Sequence, residues 1–335
     1  MTAHEDKAGR TTASDGWVLN PFAPPDVPDA RLNLLLWNDH WLGNDLGEPI
    51  SVTTPAGARI ELRFTRDREH QSVADAVILH GPTIRDLPVR RAGQPWVMVS
   101  MESYANYPLL AGAEKWGAFD LTMTHRLDSD VPIPYATRKA LDGASMLERP
   151  QQQGSAVACF IASNPVPARD AYVRELMEYV PIDCFGACLN NRGFGDVAPT
   201  GLSRSAEAVH AIASYPFYLA FENSIEQDYV TEKLYRPLSV GTVPVYQGAP
   251  NVAAFLPSPD AAIVIDAIAP RELATLLLRE AADPALLDRR HAWRASPAPA
   301  FERLLELSSI DGRARLATKL AHGCGRECVC GGRQR

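Results

Sequence analysis

Short apolar runs alternate with helix-length amphipathic stretches through the second half of the chain, and that alternation leaves few architectures open. Residues 156–162, 217–221, 243–246 and 262–265 are compact apolar segments of strand length. Residues 169–179, 230–240 and 271–281 lie between or after them; in the first, the apolar side chains fall at 172, 173, 176 and 180, a helical stripe. Parallel strands need a crossover connection, so this order predicts βαβ units and a doubly wound sheet. The first half is less regular, with strands predicted at 32–37, 76–80, 96–101 and 119–124. Gly143, Pro150, the Gln151–Gln153 run and Gly154 mark a boundary between the halves. The expected organisation is a flexible, proline-rich tail over 1–30, an α/β domain over 31–150, a Rossmann-like domain over 151–320 and a cysteine-bearing tail over 321–335. The two domains are expected to face a cleft.

The chain has 335 residues, room for two such domains of about 150 residues each. Its net charge of -7 argues against a protein whose main work is non-specific nucleic-acid binding, which leaves a basic footprint. The longest uncharged run, between Arg236 and Asp260, holds Pro237, Pro244, Pro250, Pro257 and Pro259, so no transmembrane segment is expected. The first 16 residues carry no apolar run of the kind a signal peptide needs, and the expected location is cytoplasmic, with the cysteines as thiols. Cys159 lies in an apolar strand. His322, Cys324, Cys328 and Cys330 depart from the paired C-x2-C spacing of zinc sites and are taken as structural or idle thiols.

Ligands of open α/β sheets sit beyond the carboxyl ends of the strands, where helix N-termini present unpaired N–H groups to anions. Residues 215–237, YPFYLAFENSIEQDYVTEKLYRP, offer such a place: an apolar strand ends in Glu222 and Asn223, and a helix is predicted to open near Asp228. Tyr229, Glu232 and Lys233 then stand at i, i+3 and i+4 on one helical face. A lysine there suits a diphosphate, and a neighbouring carboxylate suits sugar or ribose hydroxyls. The competing assignment makes Asp228 an N-cap and Glu232–Lys233 a solvated pair. Three other strings imitate functional motifs. Gly193–Ala198 matches GxGxxA but follows Asn190, Asn191 and Arg192 rather than a strand, so it is assigned to a loop. Asp128-Ser129-Asp130 imitates a metal-binding D-x-D and is assigned to a turn, with no metal site expected. His80 and His125 end strands and are assigned to packing.

FYLAFENS at 217–224, DYVTEKL at 228–234 and GTVPVYQG at 241–248 together resemble the donor-site signature of the α-1,3-fucosyltransferase family, glycosyltransferase family 10. AVACFIASN at 156–164 with Arg169 and Tyr172–Val173, IDCFGACLNN at 182–191, WVMVSMES at 96–103 and FDLTMTHRLDSDVPIPY at 119–135 are similar to further segments of that family. The resemblance implies a GT-B fold and GDP-fucose as donor. It places Arg169 and Lys233 on the pyrophosphate, Asn223, Tyr229 and Glu232 on the nucleotide sugar, and Ser163 near the same edge. The alternative for Arg169 is an exposed ion pair with Asp170 or Glu175. It also makes Glu102 the general base, the desolvated carboxylate that takes the acceptor proton in a single inverting displacement. No cofactor is implied as obligatory, and a divalent metal is not expected to be required, because the protein's own cations meet the phosphate charge.

The function so implied is transfer of L-fucose from GDP-fucose to a glycan or glycoprotein acceptor. The family's commonest acceptor is O3 of N-acetylglucosamine, as in Lewis-type glycans. SDVPIPY at 129–135 and TEKLYRPL at 231–238 look closest to a branch acting on protein hydroxyls, so O-fucosylation of a polypeptide is the alternative. A non-catalytic GDP-sugar- or glycan-binding relative, or transfer from another GDP-sugar, are the remaining readings.

Overall fold

The computed structural model describes residues 27–38, 48–107, 118–141 and 156–324. The chain divides into two units, one formed by Met1–Pro134 with Ile310–Arg335 and the other by Tyr135–Ser309.

The first unit is built on a seven-stranded sheet: β1 (Ala30–Leu36), β2 (Ile50–Thr53), β3 (Arg59–Thr65), β4 (Ala76–His80), β5 (Trp96–Ser100), β6 (Leu121–Thr124) and β7 (Val131–Pro132), in the order β2-β3-β1-β4-β5-β6-β7. Every neighbouring pair is parallel except the edge hairpin β2–β3. Leu34, Leu35 and Leu36 of β1 are all buried, as a strand covered on both faces requires. The hairpin was missing from the sequence reading because it is an edge: Ile60 and Leu62 point inward while Arg59, Glu61 and Arg63 alternate with them.

The second unit holds a five-stranded, wholly parallel sheet of β8 (Ala158–Ile161), β9 (Ile182–Phe185), β10 (Phe217–Phe221), β11 (Val243–Gln247) and β12 (Ile263–Val264), in the order β12-β11-β10-β8-β9. Eight helices occur among the described residues: α1 (Arg138–Leu141), α2 (Pro167–Leu176), α3 (Arg204–Ile212), α4 (Glu232–Val240), α5 (Pro270–Ala282), α6 (Pro284–His291), α7 (Pro299–Ser309) and α8 (Gly312–Cys324). The predicted strands and helices of this half recur within a few residues, and α2, α3 and α4 are the crossovers the alternation demanded.

The division differs from the boundaries drawn on the sequence, which ran 31–150 and 151–320. The chain changes unit at Pro134, and α8 belongs to the first unit. Its Ala314, Leu316, Ala317 and Leu320 join the cluster of Leu34, Leu36, Ile78, Val97, Val99 and Met123. Gly312 makes the close approach possible, since a Cβ there would stand 2.8 Å from Met123 Cε. The Arg315 guanidinium donates to the Pro132 carbonyl oxygen. No helix of the described residues is long and apolar enough to cross a membrane. Cys159, Cys184 and Cys188 are buried free thiols. Cys328 and Cys330 fall outside the described residues, as does the 1–26 stretch of the tail.

Candidate active site

Strand order locates the candidate site in the second unit. The chain runs from β8 to β9 on one side and then returns to place β10 on the other, so the direction of winding reverses between β8 and β10. Ligands of such sheets bind beyond the strand C-termini at this reversal. Ser163 and Asn164 follow β8, Glu222 and Asn223 follow β10, and Arg169 and Lys233 stand in the first turns of the helices that come next.

Two glycines allow the strand ends to come this close. At Gly186, after β9, φ is +90° and a Cβ would lie 2.4 Å from the Ala162 carbonyl oxygen and 3.0 Å from Ser163 Oγ. At Gly248, after β11, a Cβ would lie 2.4 Å from Tyr246 Oη and 2.6 Å from Glu222 Cγ.

Glu222, absent from the sequence-derived site, organises the β10 side. Its side chain is fully buried, and its two oxygens accept from Thr231 N at 2.8 Å and Thr231 Oγ1 at 2.7 Å. Lys233 Nζ lies 3.2 Å from Oε2. Burial pushes the Glu222 carboxyl above its ordinary range, although Lys233 and the two Thr231 bonds pull against it. Lys233 Nζ also lies 3.1 Å from Thr231 Oγ1 and 3.5 Å from Glu232 Oε1. Burial disfavours the ammonium, but the two carboxylates outweigh it and raise its pKa. Glu232 is likewise penalised by burial, yet Lys233 and Arg236 hold its carboxyl below the ordinary value.

The helix opens three residues later than expected. Thr231, not Asp228, is the N-cap, its Oγ1 accepting from Lys233 N at 3.4 Å. Asp228 is a left-handed residue with φ +63°, locked by Asn251, which accepts from Asp228 N at 3.0 Å and donates to Oδ1 at 2.6 Å. The Glu222 carboxylate beneath Thr231 decides where the helix begins, so Tyr229 lies outside the helix and shares no helical face with Glu232 and Lys233. Tyr229 is buried, its ring edge-on to Tyr135 at 6.5 Å. Asn223 is half-buried, and its Oδ1 is buried without a hydrogen-bond partner, which leaves an acceptor for a ligand hydroxyl.

On the β8 side, Arg169 does pair with Asp170, but as a buried rather than an exposed pair. It is 5% exposed, Nε donates to Asp170 Oδ1 at 3.0 Å and Nη2 to the Asn164 carbonyl at 2.7 Å. The guanidinium lies 5.3 Å from the Phe160 ring centroid, and Asp170 Oδ2 accepts Val166 N at 3.1 Å. Ser163 is exposed on the same edge.

Glu102 belongs to the first unit, just past β5. Ser100 Oγ accepts from Glu102 N and donates to Glu102 O, both at 3.1 Å, and Ser103 caps the following turn. Ser100 and Ser103 are fully buried, so the half-buried Glu102 is held from below at both backbone groups. Burial and the nearby Glu102 charge raise the Tyr107 hydroxyl's pKa. Ser100 was not singled out from sequence; a serine two residues before a strand-end carboxylate was the available signal.

The imitating motifs have local roles. Asp130 Oδ2 accepts from Thr122 N and Oγ1, and Asp128 takes both arms of the Arg126 guanidinium. Gly193–Ala198 contains a 3-10 turn, with Asp196 accepting from Gly193 N. His125 is fully buried, 5.5 Å from the Tyr104 ring.

Two Rossmann-like units, the second with an anion-suited edge at its winding reversal, define the class of nucleotide-sugar transferases of the GT-B type. The profile described as Glycosyltransferase family 10 (fucosyltransferase) C-term matches residues 151–316, and that described as Fucosyltransferase, N-terminal matches residues 29–136. The chain belongs to glycosyltransferase family 10. It is 35% identical over 262 residues to a Mus musculus protein named GDP-fucose protein O-fucosyltransferase 3, covering 72% of this chain and 54% of that one. The Homo sapiens protein of the same name is 33% identical over 262 residues, with the same coverage. The chain thus spans about half the length of the curated relatives it matches. The crystal structure of an alpha1,3-fucosyltransferase with GDP-fucose shares the fold, with a TM-score of 0.57 at 16% identity, covering 91% of this chain and 93% of that one.

Proposed function

We propose that this chain is an inverting fucosyltransferase that moves L-fucose from GDP-fucose to a polypeptide hydroxyl. The donor assignment rests on one observation above all: Ser163, Arg169, Asn223, Glu232 and Lys233 stand at the strand C-termini on either side of the winding reversal. The Arg169 guanidinium and the Lys233 ammonium supply cationic donors for the diphosphate, and Asn223 Oδ1 accepts a sugar hydroxyl. In the transfer step Glu102 takes the proton of the acceptor hydroxyl while its oxygen attacks the anomeric carbon. The bond from that carbon to the diphosphate breaks, and GDP leaves with the electron pair. Cations already in place meet the developing charge without reorganising, so no obligatory metal is part of the proposal.

The polypeptide acceptor is favoured over O3 of N-acetylglucosamine by the similarity to proteins named protein O-fucosyltransferase over most of this chain. The test is fucose incorporation from GDP-fucose, offered in parallel to N-acetyllactosamine and to a serine/threonine peptide library, with GDP release followed in both. Incorporation into peptide supports the proposal. Incorporation into the disaccharide alone overturns the acceptor, and absence of GDP binding overturns the donor.

A further inference from the structure

An ammonium group has three protons to donate, and three acceptors surround that of Lys233. They are Thr231 Oγ1 at 3.1 Å, Glu222 Oε2 at 3.2 Å and Glu232 Oε1 at 3.5 Å. A diphosphate that docks on this lysine therefore enters a cluster in which two carboxylates already share one cation. It draws the ammonium toward itself and brings further negative charge of its own. One of the two carboxylates must then do with less compensation than it has in the free protein.

The two carboxylates are unequal. The Glu232 side chain is 38% exposed, and the Arg236 guanidinium attracts it as well as Lys233. Loss of the lysine leaves Glu232 with water and a second cation. The Glu222 side chain is 0% exposed and has neither. On the α4 side it faces the charges of Lys233 and Glu232 and the hydroxyl of Tyr235, which is buried without a hydrogen-bond partner. On the β11 side Tyr246 closes on it, since a Cβ at Gly248 would meet both Tyr246 Oη and Glu222 Cγ. Tyr218 of its own strand also feels its charge. Burial keeps all three tyrosines protonated, so none of them offsets a carboxylate.

A buried carboxylate that loses its cation neutralises by taking a proton rather than staying charged. The bonds around Glu222 allow this without rearrangement. As a neutral acid it still accepts from Thr231 N with one oxygen, and it donates to Thr231 Oγ1 with the other, so the start of α4 is kept.

We infer that Glu222 is a positioning residue that takes up a proton from solvent as the donor diphosphate docks on Lys233. It holds the lysine in place in the free protein and ceases to compete for it in the donor complex. This rests on the donor reading proposed above and adds a proton to its binding step. The direction of the pH effect follows. The carboxyl, already pushed above its ordinary value by burial, is raised further in the complex. Donor binding therefore tightens as pH falls through the value in the complex, and levels off below the value in the free protein.

The test is calorimetry of GDP-fucose binding, without acceptor, in buffers of different ionisation enthalpy from about pH 5 to 8. GDP-fucose is the probe because its diphosphate is esterified at both ends and does not titrate in that range, unlike that of GDP. Wild type should take up at least about half a proton per site at the steepest point, where affinity rises about threefold for each pH unit lowered. An infrared difference spectrum of wild type should gain the carbonyl band of a buried carboxylic acid on binding. Glu222→Gln, which keeps partners for both Thr231 groups and cannot titrate, should lose the uptake, the band and most of the pH slope. At about pH 8 it should bind GDP-fucose at least as tightly as wild type, since a competitor for Lys233 is gone; a merely structural role would weaken binding instead. Binding by wild type with no proton uptake, or an uptake that Glu222→Gln retains, overturns the inference and leaves the donor reading intact. Absence of GDP-fucose binding by wild type overturns both.

Discussion

Glu222→Gln separates the charge of the buried carboxylate from its tether to Thr231, and the structure sets the direction of the result. The glutamine amide keeps an oxygen for Thr231 N and an NH2 for Thr231 Oγ1, so the helix start at Thr231 is retained. What is lost is the ionisation. Burial raises the Glu222 carboxyl above its ordinary value of 4.5 despite Lys233, so the folded protein keeps this proton to a higher pH than the unfolded chain. The group's contribution to stability is therefore fully present below pH 4.5 and is lost as pH rises through the raised folded value. The glutamine variant, which does not titrate, should match the parent near pH 4 and be as stable or more stable at pH 7. Glu222→Ala is the control that removes the tether as well. It leaves the Lys233 ammonium and the Thr231 N–H without their buried partner, a loss of about 3–5 kcal/mol. At roughly 2–4 °C per kcal/mol for a unit of this size, that lowers Tm by about 6–20 °C. Thermal unfolding from pH 4 to 8, followed by near-ultraviolet circular dichroism without ligand, reads both variants. A glutamine variant that falls progressively below the parent as pH rises would refute the reasoning, because the Lys233 attraction would then exceed the burial penalty.

Four other outcomes follow from single positions. Arg169→Lys gives up the planar fork shared by Asp170 and Asn164, and calorimetry should show GDP affinity reduced at least about tenfold. Gly248→Ala drives a methyl against Tyr246 Oη and Glu222 Cγ and should cost about 1–3 kcal/mol in chemical denaturation; Gly186→Ala, with a positive φ and a backbone carbonyl in the way, should cost more. Ser100→Ala frees the backbone on both sides of Glu102, and steady-state assays should show kcat lowered about tenfold with GDP affinity intact.

The strands of the second sheet were legible because β8, β10 and β11 are buried on both faces and spell unbroken apolar runs. The β2–β3 hairpin alternates charge with apolar residues at an edge, and β9 carries Asp183 inside a four-residue strand, so neither stood out. Helices α6, α7 and α8 follow one another without a change in composition, and nothing local says that α8 returns to the first sheet. The start of α4 was misplaced for a tertiary reason. Asp228 and Thr231 are both good caps by residue type, and the choice between them is made by Glu222 and Asn251, nine and 23 residues away from their partners. The motif pointed to this strand end, while the carboxylate that organises it was visible only as the residue before Asn223. Tyr229, chosen as a ligand contact, is buried with its ring edge-on to Tyr135.

Glu102→Gln addresses the proposed chemistry in one comparison. GDP affinity of wild type and variant is measured by calorimetry, then GDP release from GDP-fucose with the serine/threonine peptide library as acceptor. As general base, Glu102 predicts that acceptor-dependent release falls about 10²–10⁴-fold in the variant with GDP affinity unchanged. Turnover retained within a few-fold of wild type would contradict the assignment of the base and, with it, the proposed displacement.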